Sequence, residues 1–203
     1  MVDEPKTAPV GRPRAAEPSD VAALALRLFA ERGFDETTMK DVAQAAGISR
    51  QTLFRYFPSK FDIVWDRYQT EYESLERALR SAPGDEPLLD ALCRIAPATL
   101  EYRADEMDLL RTQVRLIDSV PSAEAHVSER IAEYVAILSA FIERRTGLPA
   151  DSLYPQLVSR LVWTTSWTAL VAWAASDDAT PNAALAEAFE LFRTGLAAPP
   201  TDA

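Results

Sequence analysis

Apolar residues recur every three or four positions along most of the chain, and this spacing predicts amphipathic helices. The first such segment runs from about Ser19 to Arg32. Ser19 is expected to cap this helix, and Gly33 is expected to end it in the left-handed conformation. Because alternation with a period of two persists nowhere in the sequence, we expect an all-α protein of about nine helices.

Two short helices are predicted next. Thr38 and Asp41 have the spacing of a capping box, and Gly47 is expected to end the helix that they begin. Ser49 is then expected to cap a helix over residues 50–56. A connection of about three residues between two such helices is typical of a helix-turn-helix.

A longer helix is predicted from Lys60 to about Arg80, with Ser59 as its cap and a length of about 30 Å. Pro97 is expected to end or kink the next helical stretch, 86–103, in which it lies. The later helical stretches have approximate ranges of 86–103, 105–118, 122–146, 152–176 and 182–197. These patterns predict a disordered arm over 1–18, a helix-turn-helix domain over 19–62, a helical regulatory and dimerisation domain over 63–198 and a tail over 199–203.

The composition argues against several classes of protein. No run of about 18 apolar residues exists, and the first residues lack an apolar signal-peptide core, so a cytoplasmic location without membrane insertion is expected. The single cysteine, Cys93, and the single histidine, His126, form no cluster with metal-ligand spacing. We therefore expect no metal and no cofactor. Because the sequence also lacks a nucleophile elbow and a phosphate-binding glycine loop, an enzyme is the disfavoured alternative.

Charge is distributed unevenly. The net charge of −10 argues against nonspecific coating of nucleic acid, but residues 48–61 carry Arg50, Arg55 and Lys60 and no acid. In the arm, Gly11-Arg12-Pro13-Arg14 resembles an AT-hook core, and arginines on such an arm can enter a narrow minor groove. The alternative for the arm is a plain tail.

The residues around the predicted turn resemble a known family. The chain from Gly33 to Lys60 has the sequence GFDETTMKDVAQAAGISRQTLFRYFPSK, and over about residues 19–64 it is similar to the TetR family. Within that family it most resembles the mycofactocin-system regulators, on the segments FRYFPSK from Phe54, VW from Val64 and EPLLDAL from Glu86. The resemblance implies a three-helix DNA-binding domain, a helical C-terminal regulatory domain, and homodimers that repress transcription until a small molecule binds.

The second helix of a helix-turn-helix lies in the major groove with its N-terminal residues nearest the bases. Arg50, Gln51 and Thr52 occupy that end of the predicted helix. Arginine can bridge O6 and N7 of guanine, and glutamine can pair with adenine in the same bidentate manner. These residues are therefore predicted to contact DNA bases.

Other residues are predicted to contact the DNA backbone. Thr38 and Ser49 are primarily caps, but a helix N-terminus also attracts phosphate, so a backbone contact is expected at Thr38 as well. Tyr56 and Lys60 are placed for phosphate. Arg55 is expected to point outward, either to phosphate or only to solvent.

Phe54 departs from the family pattern, because members usually carry a tyrosine there whose hydroxyl can reach phosphate. Phe54 cannot make that bond and is expected to touch a thymine methyl group instead. Leu53 and Phe57, four residues apart on the opposite face, are assigned to the core.

The last two long helices are apolar nearly all round, which is typical of helices buried on several sides. The family resemblance implies that they pair with their copies across a two-fold axis as a four-helix bundle, and an intramolecular core without a dimer is the alternative. The apolar residues concerned are Leu157, Leu161, Trp163, Thr164, Trp167, Leu170, Val171 and Trp173, followed by Leu185, Phe189, Phe192 and Leu196.

An apolar ligand pocket is predicted between helices, with ordinary core packing as the alternative for each residue. Arg111 and Arg115, one turn apart, are expected either to meet an anionic ligand or to form a solvated face. The candidate pocket residues are Tyr102, Met107, Leu110, Val114, Tyr134, Leu138, Trp163 and Trp167, with Ile117 and Phe141 beside them.

These patterns together predict a homodimeric repressor that binds double-stranded DNA at a palindromic operator and is released by a small apolar or acyl-type effector. Two alternatives remain open at this point. One is a regulator controlled by a protein partner, with no small-molecule pocket, and the other is an activator of transcription.

Overall fold

The computed structural model describes residues 17–100, 104–119 and 124–195. Every regular element in these ranges is helical, which confirms the predicted all-α class. The helices are α1 (Pro18–Arg32), α2 (Met39–Ala45), α3 (Arg50–Tyr56), α4 (Lys60–Val64), α5 (Asp66–Arg80), α6 (Leu88–Ala98), α7 (Met107–Ser119), α8 (Glu124–Thr146), α9 (Leu153–Ala175) and α10 (Asn182–Arg193), with a short 3-10 turn at Ala104–Glu106.

The predicted caps of the short helices are confirmed. The Thr38 hydroxyl accepts the backbone N–H of Asp41, whose carboxylate accepts the backbone N–H of Thr38 at 2.9 Å. Ser49 caps α3 by accepting the N–H of Thr52 at 3.0 Å. The prediction that Ser19 caps α1 is wrong, since the helix already begins at Pro18. Proline suits a first-turn position because its missing N–H would have no partner there.

The long helix predicted from Lys60 to Arg80 is interrupted. It consists of α4 and α5, separated at Trp65, whose φ and ψ of −96° and 4° are not helical. The backbone N–H of Tyr68 bonds to the carbonyl of Trp65 rather than to that of Val64. The carbonyl of Val64 instead accepts the side-chain amide of Gln113, a buried residue of α7. This break raises the number of α-helices in the described ranges from the predicted nine to ten.

The C-terminal helices pack around α9. The helices α8 and α10 lie against α9, and α6 packs on α10. Trp173, Leu138 and Ile142 are among the fully buried side chains of this core. Across the three described ranges, no helix combines the length and apolar content needed to cross a bilayer.

The helix α7 contacts both halves of the molecule. It packs against α1 of the N-terminal helices and against α9 of the C-terminal bundle. Its residues Leu110, Val114 and Ile117 are buried. The helix α7 therefore connects the N-terminal helices to the C-terminal bundle, in addition to α4 and α5.

Candidate nucleic-acid interface and internal cavity

The helix α3 has one buried and one exposed face. Leu53 is fully buried and Phe57 is nearly so, as predicted. Arg50, Gln51 and Arg55 are exposed on the other side. The outer face of this helix is therefore accessible to a binding partner.

Aromatic rings accompany both guanidinium groups of this face. The Arg50 guanidinium carbon lies 5.9 Å from the ring centroid of Phe54, which is 43% exposed. The Arg55 guanidinium carbon lies 5.4 Å from the ring of Tyr56, which in turn packs edge-on against Phe57 at 6.3 Å. Such cation–π contacts favour the positions of the two charges without neutralising them.

Hydroxyl groups mark the N-terminal ends of α2 and α3. The Thr52 hydroxyl lies 2.9 Å from the Ser49 hydroxyl, so both predicted residues belong to one cap. The Thr38 hydroxyl donates to the Asp41 carboxylate at 2.6 Å, and this hydrogen bond holds the pKa of Asp41 below its usual value. These ends are exposed, as a phosphate contact requires.

Lys60 is engaged within the protein. Its ammonium group donates to the carbonyl of Phe34 and lies 4.4 Å from the centroid of the Phe34 ring. That ring packs against Phe29 and Phe61, with centroids 5.1 and 5.0 Å away. Lys60 therefore stabilises the turn between α1 and α2. The sequence did not indicate this role, because Lys60 and Phe34 lie 26 positions apart.

A small internal cavity of about 30 Å³ lies among α5, α8, α9 and the end of α6. It is smaller than an open surface groove of about 520 Å³ between the α1–α2 turn and α7, but its wall consists largely of aromatic and apolar side chains. Its wall contains three predicted pocket residues, Tyr134, Trp163 and Trp167. The other wall residues, which the sequence analysis did not identify, are Tyr68, Glu71, Tyr72, Leu75, Thr99, Leu100, Ser166 and Leu170.

The remaining predicted pocket residues do not line this cavity. Met107 is half-buried and packs against the core. Tyr102 lies outside the described residues. The others are buried in the core, in agreement with ordinary core packing, the alternative given for each pocket residue. They are Leu110, Val114, Leu138, Ile117 and Phe141.

Two phenols at the cavity are held by hydrogen bonds. The Tyr72 hydroxyl donates to the backbone carbonyl of Arg130 at 3.0 Å. Burial raises the pKa of both Tyr72 and Tyr134. The negative charges of Glu133 and, to a smaller extent, Glu71 raise the pKa of Tyr72 further. A hydrogen bond with Ser166 opposes the rise at Tyr134, where Glu71 has a smaller raising effect. Both phenols are therefore neutral at physiological pH.

Arg111 and Arg115 have a role that neither prediction anticipated. Arg111 donates to the carbonyls of Trp173 at 2.8 Å and Ala174 at 3.2 Å, and its guanidinium lies 4.4 Å from the Trp173 ring. Arg115 donates to the carbonyl of Ala174 at 2.7 Å. These carbonyls end α9, where a helix lacks internal donors and attracts positive charge. The two arginines therefore cap α9 from α7, with Arg111 partly buried and Arg115 exposed, as the solvated-face alternative expects for Arg115.

No group of histidine, cysteine, aspartate and glutamate side chains in the described part of the chain is arranged to hold a metal ion. Cys93 is half-buried, and burial raises the pKa of its thiol. Its thiol is therefore a weak nucleophile at neutral pH.

Two family models match the chain. The model of "Bacterial regulatory proteins, tetR family" matches residues 22–64, and that of "MftR C-terminal domain" matches residues 86–197. The chain is 32% identical over 195 residues to the putative mycofactocin biosynthesis transcriptional regulator MftR of Mycobacterium tuberculosis, covering 95% of this chain and 97% of that protein. It is 26% identical over 148 residues to the transcriptional repressor KstR of Rhodococcus jostii, covering 73% and 68% of the two chains.

Solved structures share the fold. Thermus thermophilus FadR, a TetR family repressor in complex with lauroyl-CoA, matches with a TM-score of 0.53 and 24% identity, covering 92% of this chain and 98% of that one. Bacillus subtilis FadR in complex with stearoyl-CoA matches with a TM-score of 0.59 and 17% identity, covering 86% and 97%. These likenesses extend over both the N-terminal and the C-terminal helices.

Proposed function

This chain belongs to the TetR family of DNA-binding transcriptional regulators, and from that premise we propose that it is a homodimeric repressor released from a palindromic operator by a small apolar or acyl-type molecule. The observation that carries the proposal is the exposed face of α3. Its two arginines and Gln51 stand on a helix whose opposite face is buried, in a stretch of sequence without acids.

We assign base reading to the N-terminal end of α3. Arg50 and Gln51 are exposed, and neither side chain makes a hydrogen bond to the described residues, so both are available for bidentate pairing with guanine and adenine. Phe54, one turn later, presents an apolar surface suited to a thymine methyl group. Thr52 lies beside the cap and completes this end of the interface.

We assign backbone contacts to residues around this surface. Thr38 and Ser49 present exposed helix N-termini, while Arg55 and Tyr56 offer a cation and a hydroxyl at the other end of α3. Lys60 contributes to the phosphate contact only if its ammonium leaves the Phe34 carbonyl. We therefore expect its main role to be the support of the turn.

Exposed leucines support a dimer through α9 and α10. Leu153 is 82% exposed, and Leu157 and Leu161 follow at intervals of one turn with exposures of 50% and 40%. Thr164 and Thr168 extend this stripe along α9 without a charge. A surface of this kind on a regulator is typical of a protein interface. Two-fold symmetry then requires two half-sites related by a dyad, spaced by whole helical turns.

The cavity supports control by a ligand. Four of its wall residues, including Tyr68 and Tyr72, belong to α5, which begins at the break after Val64. A volume of about 30 Å³ holds little more than water. A larger effector therefore enters only if wall side chains or α5 move, and it stabilises the arrangement in which they have moved. We infer that this movement reorients the two copies of α3 relative to successive major grooves.

The test is a selection of bound duplexes from a random DNA pool, followed by operator affinity measured with and without candidate effectors. We expect a selected site with a dyad, and a reduced affinity when an effector occupies the cavity. Failure to select any duplex at moderate ionic strength would contradict the DNA-binding assignment. Retained operator affinity at saturating effector would favour control by a protein partner instead.

A further inference from the structure

The helices that form the proposed DNA interface carry no net positive charge. From residue 17 to residue 64 the chain has six lysines and arginines but seven aspartates and glutamates. One of the six, Lys60, donates to the Phe34 carbonyl within the protein. Because neutralising phosphates supplies a large part of the affinity of a protein for a duplex, these helices alone are poorly charged for binding DNA.

The chain immediately before these helices has the opposite balance of charge. Residues 5–16 contain Lys6, Arg12 and Arg14 and no acid. Arg12 and Arg14 belong to the segment of the N-terminal arm that resembles an AT-hook core. Residues 1–16 lie outside the described ranges, and the first described helix determines where they join the domain.

This junction lies at the end of α1 that is remote from the C-terminal bundle. The helix begins at Pro18, and the preceding residue, Glu17, is exposed with extended backbone angles of −65° and 144°. The other end of α1, at Phe29 and Gly33, borders the same groove as residues of α7. Since α1 has 15 residues, its two ends are about 22 Å apart.

The two arginines of the arm are close enough to the junction to reach a neighbouring groove. An extended chain spans at most about 3.5 Å per residue, so Arg14 reaches about 14 Å and Arg12 about 21 Å from Pro18. Both distances exceed the width of a major groove, which is about 12 Å. In homeodomains, which are also three-helix domains, an arm before the first helix enters the minor groove next to the recognition helix.

From these observations, and resting on the proposed function, we infer that Arg12 and Arg14 bind the minor groove of A·T base pairs beside each half-site while α3 reads the major groove. A·T tracts have a narrow minor groove with an enhanced negative potential, which attracts inserted guanidinium groups. A G·C pair places the amino donor of guanine in that groove, where the guanidinium, also a donor, finds no partner. The arm thereby supplies positive charge that the described helices lack, and it adds a preference for A·T at positions that α3 does not contact.

The experiment varies the base pairs beside the half-sites of the operator selected from the random pool, using the full chain. Three duplexes carry A·T, G·C or inosine·C pairs at these positions. Inosine lacks the amino group of guanine, so an inosine·C pair resembles A·T in the minor groove and G·C in the major groove. By fluorescence anisotropy we expect the A·T and inosine·C duplexes to bind about tenfold more tightly than the G·C duplex.

Variants locate the source of that preference. The double variant Arg12→Ala, Arg14→Ala is expected to bind all three duplexes with equal affinity, at the level of the G·C duplex or below. The slope of its log affinity against log salt concentration is expected to be smaller in magnitude. Lys6→Ala removes a charge from the same segment outside the AT-hook-like core, and this matched control is expected to keep the preference for A·T.

Several outcomes would overturn the inference. They are equal affinity of the unmodified protein for the three duplexes, an unchanged preference in the double variant, and loss of the preference in Lys6→Ala as well. If the inosine·C duplex bound as weakly as the G·C duplex, the preference would come from the major groove, and the inference would again be wrong. In all four cases a selected site with a dyad would still support the proposed function. If no duplex were selected, the proposed function and this inference would both be wrong.

Discussion

The side-chain amide of Gln113 donates a hydrogen bond to the carbonyl oxygen of Val64, 49 residues earlier in the chain. Gln113 is 1% exposed, and the carbonyl that it meets is the one that the break at Trp65 leaves without a helical donor. A buried carbonyl without a partner is costly, so this single side chain makes the break energetically acceptable. It also fixes α7 to the junction between α4 and α5.

Replacing Gln113 with alanine is therefore expected to lower the free energy of unfolding by about 1–3 kcal/mol, because the Val64 carbonyl loses its donor. The measurement is urea denaturation followed by circular dichroism. The control is Thr112→Ala on the same helix, where the lost hydroxyl bonds only to the carbonyl of Asp108 one turn earlier. Equal stability of the two variants would show that the Gln113 bond contributes nothing.

Arg50→Ala and Gln51→Ala are each expected to reduce operator affinity by about 1–3 kcal/mol and to relax the preference at one base pair of each half-site. Both side chains are exposed at the end of α3 that enters the groove first. Fluorescence anisotropy on the selected operator and on single-base variants measures the effect. Arg77→Ala, an exposed arginine on α5, is expected to leave binding unchanged. Identical losses on operator and random DNA would mean that neither residue discriminates among bases.

Lys60→Ala is expected to lower the free energy of unfolding by about 1 kcal/mol. This is a low value for the loss of a hydrogen bond with a charged donor, because the Lys60 side chain is partly exposed. Because the Lys60 ammonium is bonded to the Phe34 carbonyl, the variant and the unmodified protein are expected to show the same dependence of DNA affinity on salt. Lys40→Ala, exposed on α2, serves as control for stability. If the slope of log affinity against log salt concentration were smaller in magnitude by about one in the variant, Lys60 would instead be identified as a phosphate contact.

Leu157→Glu is expected to convert the dimer to a monomer, because a carboxylate would be buried where two copies of α9 meet. Sedimentation velocity gives the oligomeric state, and affinity for a two-half-site operator is expected to fall with it. Leu89→Glu places the same charge at another exposed leucine, 36% accessible and outside α9, and is expected to remain dimeric. A dimeric Leu157→Glu variant would exclude this stripe as the interface.

Gly33→Ala is expected to destabilise the protein by about 1 kcal/mol or more. Gly33 has a φ of +94°, a backbone conformation that residues with a side chain rarely adopt, and an added Cβ would also meet the carboxylate end of Glu36. Gly84→Ala is the matched control, since nothing lies within 4 Å of its added Cβ and no unfavourable φ applies there. Thermal unfolding compares the two, and a Gly33 variant as stable as the Gly84 variant would contradict the role of this turn.

Local signals predicted the N-terminal helices well. Thr38, Asp41, Ser49 and Ser59 act on backbone groups within three residues, so their caps can be recognised in the sequence itself. The break at Trp65 has no such signal, because neither glycine nor proline stands there and its partner Gln113 comes from a distant helix.

Distant contacts also explain the incomplete prediction of the cavity. Helical periodicity shows that Leu138 and Trp163 lie on apolar faces, but not which helix each face meets. Leu138 meets the core and Trp163 meets the cavity. The roles of Arg111 and Arg115 were hidden for the same reason, since the end of α9 that they cap is about sixty residues away along the chain.

The exposed leucines of α9 have a consequence for the abundance of the protein. When a second copy covers Leu153 and its neighbours, folding and association become linked equilibria, and the melting temperature rises with concentration. In a cell that holds few molecules of the regulator, dilution would then act on the same equilibrium as the effector does. The amount synthesised would set how much effector is needed to free the operator.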